Sequence, residues 1–325
     1  MNRLKAFRDI EGVNQEELGD IFGLSGPMVS AIESGRRTFT GSLEKIGYSD
    51  DRFDLPEMSE PLHRHRASTA VAGKKRAKEL IRLAGELFIE LREQTPNVPS
   101  LAIERNAAPI PTFNELEEFA IEVRCVLGHE ETGPIKNLTA TVERAGICLI
   151  PIVGLQGIDG LSAWVENVPV IGIDPSVPGD RFRFGIGHEL LHLLRHTKKS
   201  DVSESEANRF AGALLFPFAD FEEAMQPRPQ LQNFITLKST WGVSVAALVY
   251  RAHELGFIDD ARYRQLQIQM SKWHRSEPVT FSPVHGALFS RLVEVNGGVP
   301  EVAKSLGVNR KHLAELCNWS HLRLA

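Results

Sequence analysis

Apolar residues recur with a helical period along most of the chain, which predicts a mainly helical protein of the α+β class. The clearest example is an amphipathic helix over residues 74–94, which carries leucines along one stripe. In the segment 161–173, short runs of apolar and β-branched residues predict a β-hairpin. The pattern therefore predicts helices packed with a small antiparallel sheet.

Two amphipathic helices are predicted after the hairpin. The first begins near Asp180, a candidate N-cap that follows the breakers Pro178 and Gly179. The second spans residues 203–217 and ends at Pro217. Its apolar face comprises Ala207, Phe210, Ala211, Leu214 and Leu215.

Residues 14–36 have the layout of a helix-turn-helix. Asn14 and Glu17 form a capping box at the first helix, and Gly23 permits the tight turn. The expected shared core comprises Leu18, Ile21, Leu24, Val29 and Ile32.

The C-terminal sequence repeats this layout. Residues 301–313 align with residues 17–29, with Gly307 and Gly23 in register at the turn. We therefore expect a second helix-turn-helix-like module from about residue 282 onward. The alternative is a helical cap on the preceding domain.

Residues 188–192 read His-Glu-Leu-Leu-His and lie on the first of the two helices after the hairpin. The i, i+4 spacing places His188 and His192 on one helix face, where both imidazoles can bind one Zn²⁺. Glu189 can then act as general base on a water molecule activated by the metal. The motif predicts a hydrolytic zinc site.

The second helix offers the third metal ligand. Glu204 and Asn208 are spaced i, i+4, so Glu204 can supply a ligand oxygen while Asn208 orients a ligating histidine. Glu206 is the alternative ligand, although it could instead form a capping box with Ser203. His196 is expected to be a solvated residue at the end of its helix.

Composition narrows the cellular setting. The net charge of −5 argues against a globally basic nucleic-acid binder but leaves room for local basic faces. The sequence has no apolar stretch long enough to cross a membrane and no signal-peptide pattern at its N-terminus, so we expect a cytoplasmic protein without a membrane partner. The scattered cysteines Cys125, Cys148 and Cys317 fit a reducing compartment.

Several motifs in residues 133–217 occur in the order typical of one family of prokaryotic metallopeptidases. They are Gly133-Pro134-Ile135, Glu143-Arg144-Ala145-Gly146-Ile147, Gly160-Leu161-Ser162-Ala163-Trp164, Arg183-Phe184, the His-Glu-x-x-His motif, and Glu204-x-x-Ala207-Asn208-x-Phe210-Ala211 followed by Leu-Leu-x-Pro. The chain resembles the ImmA/IrrE family in these motifs. One departure is Gly187, where a residue such as alanine is more usual; glycine weakens the helix slightly there.

The resemblance implies a zincin-like, gluzincin-type peptidase domain that cuts a transcriptional repressor. By this resemblance the zinc ligands are His188, His192 and Glu204, and the general base is Glu189. An extended substrate could pair with an edge strand of the hairpin 161–173 by β-augmentation. The alternative is a hairpin that only packs the core.

The N-terminal module resembles the Cro/repressor type of helix-turn-helix, since Glu33-Ser34-Gly35-Arg36 matches the end of the recognition helix and the following loop. The resemblance implies base contacts from Ser25, Pro27, Met28 and Ser30, and phosphate contacts from Arg36 and Arg37. The recognition segment carries no Arg, Lys, Gln or Asn, however, so docking of a protein or dimerisation is the alternative. In the C-terminal module, Arg310 and Lys311 are the basic residues that could contact DNA.

The sequence thus predicts four segments. These are a helix-turn-helix domain (1–56), a linker with an amphipathic helix (57–112), a zinc peptidase domain (113–275) and a second helix-turn-helix-like module (282–325). The favoured function is a zinc endopeptidase that cleaves a repressor protein, with double-stranded DNA and a second copy of the chain as further candidate partners. The alternative is a non-proteolytic DNA-binding repressor or antitoxin-like regulator that uses the zincin domain as a sensor or dimerisation body.

Overall fold

The computed structural model describes residues 2–65, 71–103, 105–106, 112–153, 158–196, 200–273 and 277–320. Its helices are α1 (Arg3–Glu11), α2 (Gln15–Phe22), α3 (Gly26–Glu33), α4 (Val71–Gln94), α5 (Phe113–Val126), α6 (Leu138–Arg144), α7 (Gly179–Arg195), α8 (Asp201–Leu215), α9 (Phe218–Ala224), α10 (Leu231–Trp241), α11 (Val245–Glu254), α12 (Asp260–Ser271), α13 (Leu288–Val295), α14 (Gly298–Ser305) and α15 (Arg310–Cys317). The strands are β1 (Leu62–His65), β2 (Cys148–Pro151), β3 (Ile158–Val165) and β4 (Val168–Ile173). The prediction of a mainly helical α+β chain is confirmed. None of the described helices is both long and apolar enough to span a membrane.

The chain divides into two compact units. Unit 1 comprises Met1–Pro99, Gly146–Asp174 and Gly286–Ala325, and unit 2 comprises Ser100–Ala145 and Pro175–His285. This division differs from the four consecutive segments predicted from the sequence. In unit 1, both terminal helical modules share one hydrophobic core with α4 and the sheet.

Local sequence signals set the N-terminal module, which consists of α1–α3. The Asn14 side chain accepts a hydrogen bond from the Glu17 amide, and the Glu17 carboxylate accepts one from the Asn14 amide, so the predicted capping box is present. Gly23 ends α2 with a φ of 69°, a conformation that favours glycine. Of the predicted core, Leu18, Val29 and Ile32 are buried, whereas Ile21 is 39% exposed.

The C-terminal module, α13–α15, packs against the N-terminal module inside unit 1. The imidazole of His312 lies between the Tyr48 hydroxyl, 2.7 Å from Nδ1, and the Glu11 carboxylate, 2.7 Å from Nε2. The Asn309 side-chain amide donates to the Ile46 carbonyl at 2.8 Å. The first turn of α15 therefore bonds to residues of the N-terminal part of unit 1, and His312 is fully buried.

The sheet of unit 1 has the strand order β1-β3-β4-β2. Strands β3 and β4 form the predicted hairpin, but β2 runs parallel to β4, so the sheet is mixed rather than antiparallel as expected. Both hairpin strands have a neighbour on each side, and neither is an edge strand. The expected β-augmentation at the hairpin is therefore not available in this arrangement, and the alternative, a hairpin that packs the core, is the one found, with every residue of β4 buried.

Part of the expected linker is ordered secondary structure. Strand β1 lies within residues 57–76 and pairs antiparallel with β3. Immediately before it, the Ser59 amide donates to the Trp164 carbonyl at 2.8 Å, and the Glu166 amide donates to the Glu57 carbonyl at 2.9 Å. The segment thus extends the sheet, because pairing with a distant strand compensates for its polar composition. Residues 66–70 of the expected linker lie outside the described residues.

Unit 2 is built around the packing of α7 on α8. A Cβ added at Gly187 would lie 3.3 Å from Cβ of Ala211 on α8, so the glycine helps the two helices to pack closely at this point. The predicted apolar face of α8 is buried as expected, from Ala207 to Leu215. The start of α7 differs from the prediction, because Pro178 rather than Asp180 is its N-cap.

Candidate metal centre

The motif helix α7 presents its two predicted ligands to the same point. His188 and His192 are buried, and their Nε2 atoms lie 3.1 Å apart. Helix α8 places Glu204 opposite them, with carboxylate oxygens 3.6 Å from Nε2 of His188 and 3.5 Å from Nε2 of His192. Among the described residues, His188, His192 and Glu204 form the group of three whose side chains could together hold a metal ion, and we call this group the metal-ligating cluster.

The dimensions of the metal-ligating cluster fit a tetrahedral divalent ion. Zinc binds imidazole nitrogen and carboxylate oxygen at about 2.0–2.2 Å, so two ligand atoms of a tetrahedron lie about 3.3 Å apart. The two Nε2 atoms are 3.1 Å apart, Oε2 of Glu204 lies 3.6 Å from Nε2 of His188, and Oε1 of Glu204 lies 3.5 Å from Nε2 of His192, so each of these distances is close to this value. Two nitrogens and one oxygen are also a donor set that zinc accepts, and they leave a fourth position for water.

Each of the two imidazoles also forms a hydrogen bond through its Nδ1 atom. Nδ1 of His188 lies 3.1 Å from Oδ1 of Asn208, the residue predicted to orient it. Nδ1 of His192 lies 2.8 Å from Nδ1 of His196. Because both Nδ1 atoms are engaged outward, both Nε2 lone pairs can face the metal position.

The Glu204 carboxyl is held in its ionised form, which is the form that can bind a metal. Burial raises the pKa of its carboxyl, but hydrogen bonds and charge interactions with His188 and His192 outweigh this effect and hold the pKa well below its usual range. Glu204 is therefore ionised at neutral pH, as metal coordination requires. Glu189 is buried beside His188 on α7, so the candidate base also sits in the interior of unit 2.

His196 and Glu206 form a contact that was not predicted from the sequence. His196, expected to be a solvated helix end, has a side chain only 10% exposed and bonds Oε2 of Glu206 at 2.9 Å through Nε2. The expected capping box of Ser203 with Glu206 is absent, because Ser200 is the N-cap and Ser203 completes the box. The i, i+4 spacing of His192 and His196 is the sequence feature that could have predicted contact between their side chains.

Helix α7 is also fixed at both ends. At its start, the buried ammonium of Lys238 lies 2.5 Å from Oδ2 of Asp180, the residue expected to be the N-cap. Lys238 also contacts Oε2 of Glu277 at 2.8 Å. At its end, the Leu194 carbonyl accepts a hydrogen bond from the Asn106 amide at 2.9 Å. These contacts hold α7 in place within unit 2.

The residues predicted to contact DNA lie apart from this centre in the sequence and belong to unit 1. In the N-terminal module, Ser25 and Pro27 are exposed or partly exposed, as are Met28 and Ser30. Arg36 and Arg37, which follow α3, are both exposed.

In the C-terminal module, Arg310 and Lys311 are exposed, but the Lys311 ammonium lies 2.6 Å from the Glu11 carboxylate. Helix-turn-helix proteins read bases with the start of the second helix. In this chain the first turn of α15, the second helix of the α14–α15 pair, contacts Glu11 of the N-terminal module. Helix α3 is therefore the more accessible of the two candidate recognition helices.

A comparison with curated proteins finds no match for the chain. Against known families, residues 142–253, about one third of the chain, do match. The matched region holds the complete metal-ligating cluster together with Glu189 and Asn208. This region is similar to the IrrE N-terminal-like domain of peptidase family M78, and the similarity supports a metallopeptidase-type function in the ImmA/IrrE group.

Proposed function

We propose that the protein is a zinc-dependent endopeptidase. The observation that carries the proposal is the convergence of Nε2 of His188, Nε2 of His192 and the Glu204 carboxylate, with contacts of 3.1–3.6 Å, within a region similar to a peptidase family. A structural role for the two histidines would not require their nitrogens to face one another beside a carboxylate of a second helix. Zinc is the ion that this ligand set favours.

The proposed chemistry assigns a distinct task to each residue. His188, His192 and Glu204 would hold a divalent ion, which would act as a Lewis acid toward a peptide carbonyl and lower the pKa of a nearby water molecule. The Glu189 carboxylate would take a proton from the attacking water and return it to the amine leaving group. Asn208 keeps the His188 ring oriented by its hydrogen bond to Nδ1.

We further propose that the substrate is a repressor protein, as the family resemblance implies. Cleavage of a repressor would relieve the repression of its target genes. The N-terminal module would bring the peptidase to a repressor or to the DNA that it occupies. The intact cluster with Glu189 favours this interpretation over a regulator whose zincin domain only senses or dimerises.

The test is cleavage of a purified candidate repressor encoded near this protein. Glu189→Gln should retain the metal and lose at least about 10²-fold in cleavage rate, the scale expected when a general base is removed. Glu222→Gln, which changes an exposed carboxylate on α9, is the matched control and should cleave at the wild-type rate. Cleavage by metal-loaded Glu189→Gln at the wild-type rate would reject the assigned base.

A second candidate function is DNA binding without proteolysis, and the accessibility of α3 favours it. Removing one side chain that binds a phosphate should lower the slope of log affinity against log salt by roughly one unit. We expect the double substitution Arg36→Ala/Arg37→Ala to weaken duplex binding and reduce this slope. Arg310→Ala/Lys311→Ala is the comparison and should have the smaller effect, because Lys311 is already paired with Glu11. If neither pair changes affinity or slope, the modules dock protein instead of DNA.

A further inference from the structure

The two metal-ligating histidines are supported by different partners. His188 has an amide oxygen, Oδ1 of Asn208, beside its Nδ1. His192 instead has a second imidazole, and that imidazole bonds a carboxylate in turn. The series of contacts runs from Nδ1 of His192 to Nδ1 of His196 at 2.8 Å, and from Nε2 of His196 to Oε2 of Glu206 at 2.9 Å.

Metal binding by His192 would fix which atom donates and which accepts in each hydrogen bond of this series. His192 can offer the Nε2 lone pair to a metal only when its proton is on Nδ1. Nδ1 of His196 must then accept that hydrogen bond, which places the proton of the neutral His196 ring on Nε2. A proton on Nε2 requires an acceptor, and the Glu206 carboxylate lies at hydrogen-bonding distance from it.

Glu206 therefore selects between the two neutral forms of His196. Without it, His196 could carry its proton on Nδ1, where it would face His192 as a donor and favour the form of His192 protonated on Nε2. That form cannot bind a metal through Nε2. The carboxylate lies at the end of the series on α8, and its side chain is 26% exposed.

We propose that His196 and Glu206 are positioning residues that fix the ring orientation and tautomer of His192 for metal binding. The proposal rests on the proposed function, because it assumes that His192 is a ligand. It also explains why Glu206 is not itself a ligand: its carboxylate is engaged by His196, while Glu204 faces both Nε2 atoms. Carboxylate–histidine–metal arrangements raise the basicity of the ligating ring, and loss of the outer partner commonly weakens metal binding about 10–100-fold.

The first measurement is zinc affinity by competition with a chromogenic chelator, made on full-length protein. His196→Ala should lower the affinity about 10–100-fold, and Glu206→Ala should lower it in the same direction. Glu206→Gln keeps an acceptor oxygen for Nε2 of His196, so it should recover part of the loss. His253→Ala is the matched control, since it removes a histidine that bonds a carboxylate, Asp260 at 2.7 Å, between α11 and α12 of the same unit. Its zinc affinity should equal that of the wild type.

The second measurement reads the tautomer directly, by ¹⁵N NMR of histidine-labelled, zinc-free protein. The wild type should have the larger fraction of the His192 proton on Nδ1, and both His196→Ala and Glu206→Ala should shift that proton toward Nε2, which lies 3.1 Å from Nε2 of His188. A purely structural role for His196 would lower thermal stability without moving this signal. If His196→Ala fails to fold, the Glu206 variants provide the same comparison.

The outcomes separate this inference from the proposed function. Zinc binding by the wild type, with unchanged affinity and tautomer in both variants, would overturn the positioning role and leave the metal site standing. A wild type that takes up no zinc would overturn the proposed function. In that case, the NMR comparison still decides whether His196 and Glu206 fix the tautomer of His192.

Discussion

The buried ion pair at the start of α7 gives a quantitative test of how this helix is held in place. Lys238 is 2% exposed and Asp180 is 4% exposed, so both charges are removed from water. The Lys238 ammonium contacts Asp180 at 2.5 Å and Glu277 at 2.8 Å. Lys238→Met retains most of the side-chain volume and removes the charge.

The expected cost follows from what is left behind. Asp180 would keep the hydrogen bond from the Arg181 amide at 2.9 Å, but its carboxylate would stay buried without the ammonium. Removing one partner of a buried pair typically costs about 3–5 kcal/mol. Glu277 is less affected, because its two oxygens also accept the Val245 and Ala246 amides. We therefore expect Lys238→Met to lower the free energy of unfolding by about 3–5 kcal/mol.

The pH dependence of this loss has a definite sign. Burial lowers the pKa of Lys238, but the hydrogen bonds and charges of Asp180 and Glu277 outweigh it and raise the pKa above its ordinary value of 10.5. A raised folded-state pKa means that the contribution is fully present below about pH 10.5 and is lost as the pH rises through the folded-state value. Between about pH 7 and pH 9, the difference between wild type and variant should stay constant.

The assay is urea denaturation followed by far-UV circular dichroism. Lys272→Met, which changes an exposed lysine at the end of α12, is the control and should stay within about 0.5 kcal/mol of the wild type. Adding Asp180→Asn to Lys238→Met neutralises the stranded carboxylate and should recover part of the loss. A Lys238→Met protein as stable as the Lys272→Met control would refute this account of how α7 is anchored.

Two predictions concern unit 1. Gly85→Ala should lower the free energy of unfolding by about 1–3 kcal/mol, because its Cβ would lie 2.4 Å from Cβ of Val165. Gly212→Ala, on α8 of unit 2, is the control. Its nearest neighbouring atom is 3.4 Å away, so it should be neutral or stabilising in the same thermal melts; equal losses for both would contradict the packing argument. The hydrogen bond from His312 lowers the pKa of the Glu11 carboxyl, and the hydrogen bond and charge of Lys311 lower it further. Together they hold this pKa at about 2, although burial acts in the opposite direction. The stability difference between wild type and Glu11→Gln, measured in urea from about pH 7 to pH 2, should therefore be present above about pH 4.5 and decrease toward pH 2, and a difference that does not change with pH would contradict it.

The parts of the structure that follow from local sequence were predictable. The capping box at Asn14, the leucine stripe of α4 and the helix that carries His188 and His192 all depend on residues within a few turns of one another. For the same reason, the ligand position of Glu204 could be proposed from its spacing to Asn208. Such features rest on helix periodicity and capping, which the sequence displays directly.

The parts that depend on distant pairing were not predictable. Strand β1 has four residues and polar composition, and only its partner β3, about a hundred residues later, makes it a strand. The shared core of the two terminal modules depends on contacts such as that between Tyr48 and His312, 264 residues apart. The bond between His196 and Glu206 depends on how closely α7 packs on α8, which neither helix encodes alone.

The most direct test of the central claim is the metal content of the purified protein. After dialysis against metal-free buffer, elemental analysis should find about one zinc ion per wild-type chain, and His192→Ala should lose it while circular dichroism shows that the protein remains folded and helical. Wild-type protein without zinc after reconstitution, or stoichiometric zinc in His192→Ala, would contradict a metal centre formed by His188, His192 and Glu204.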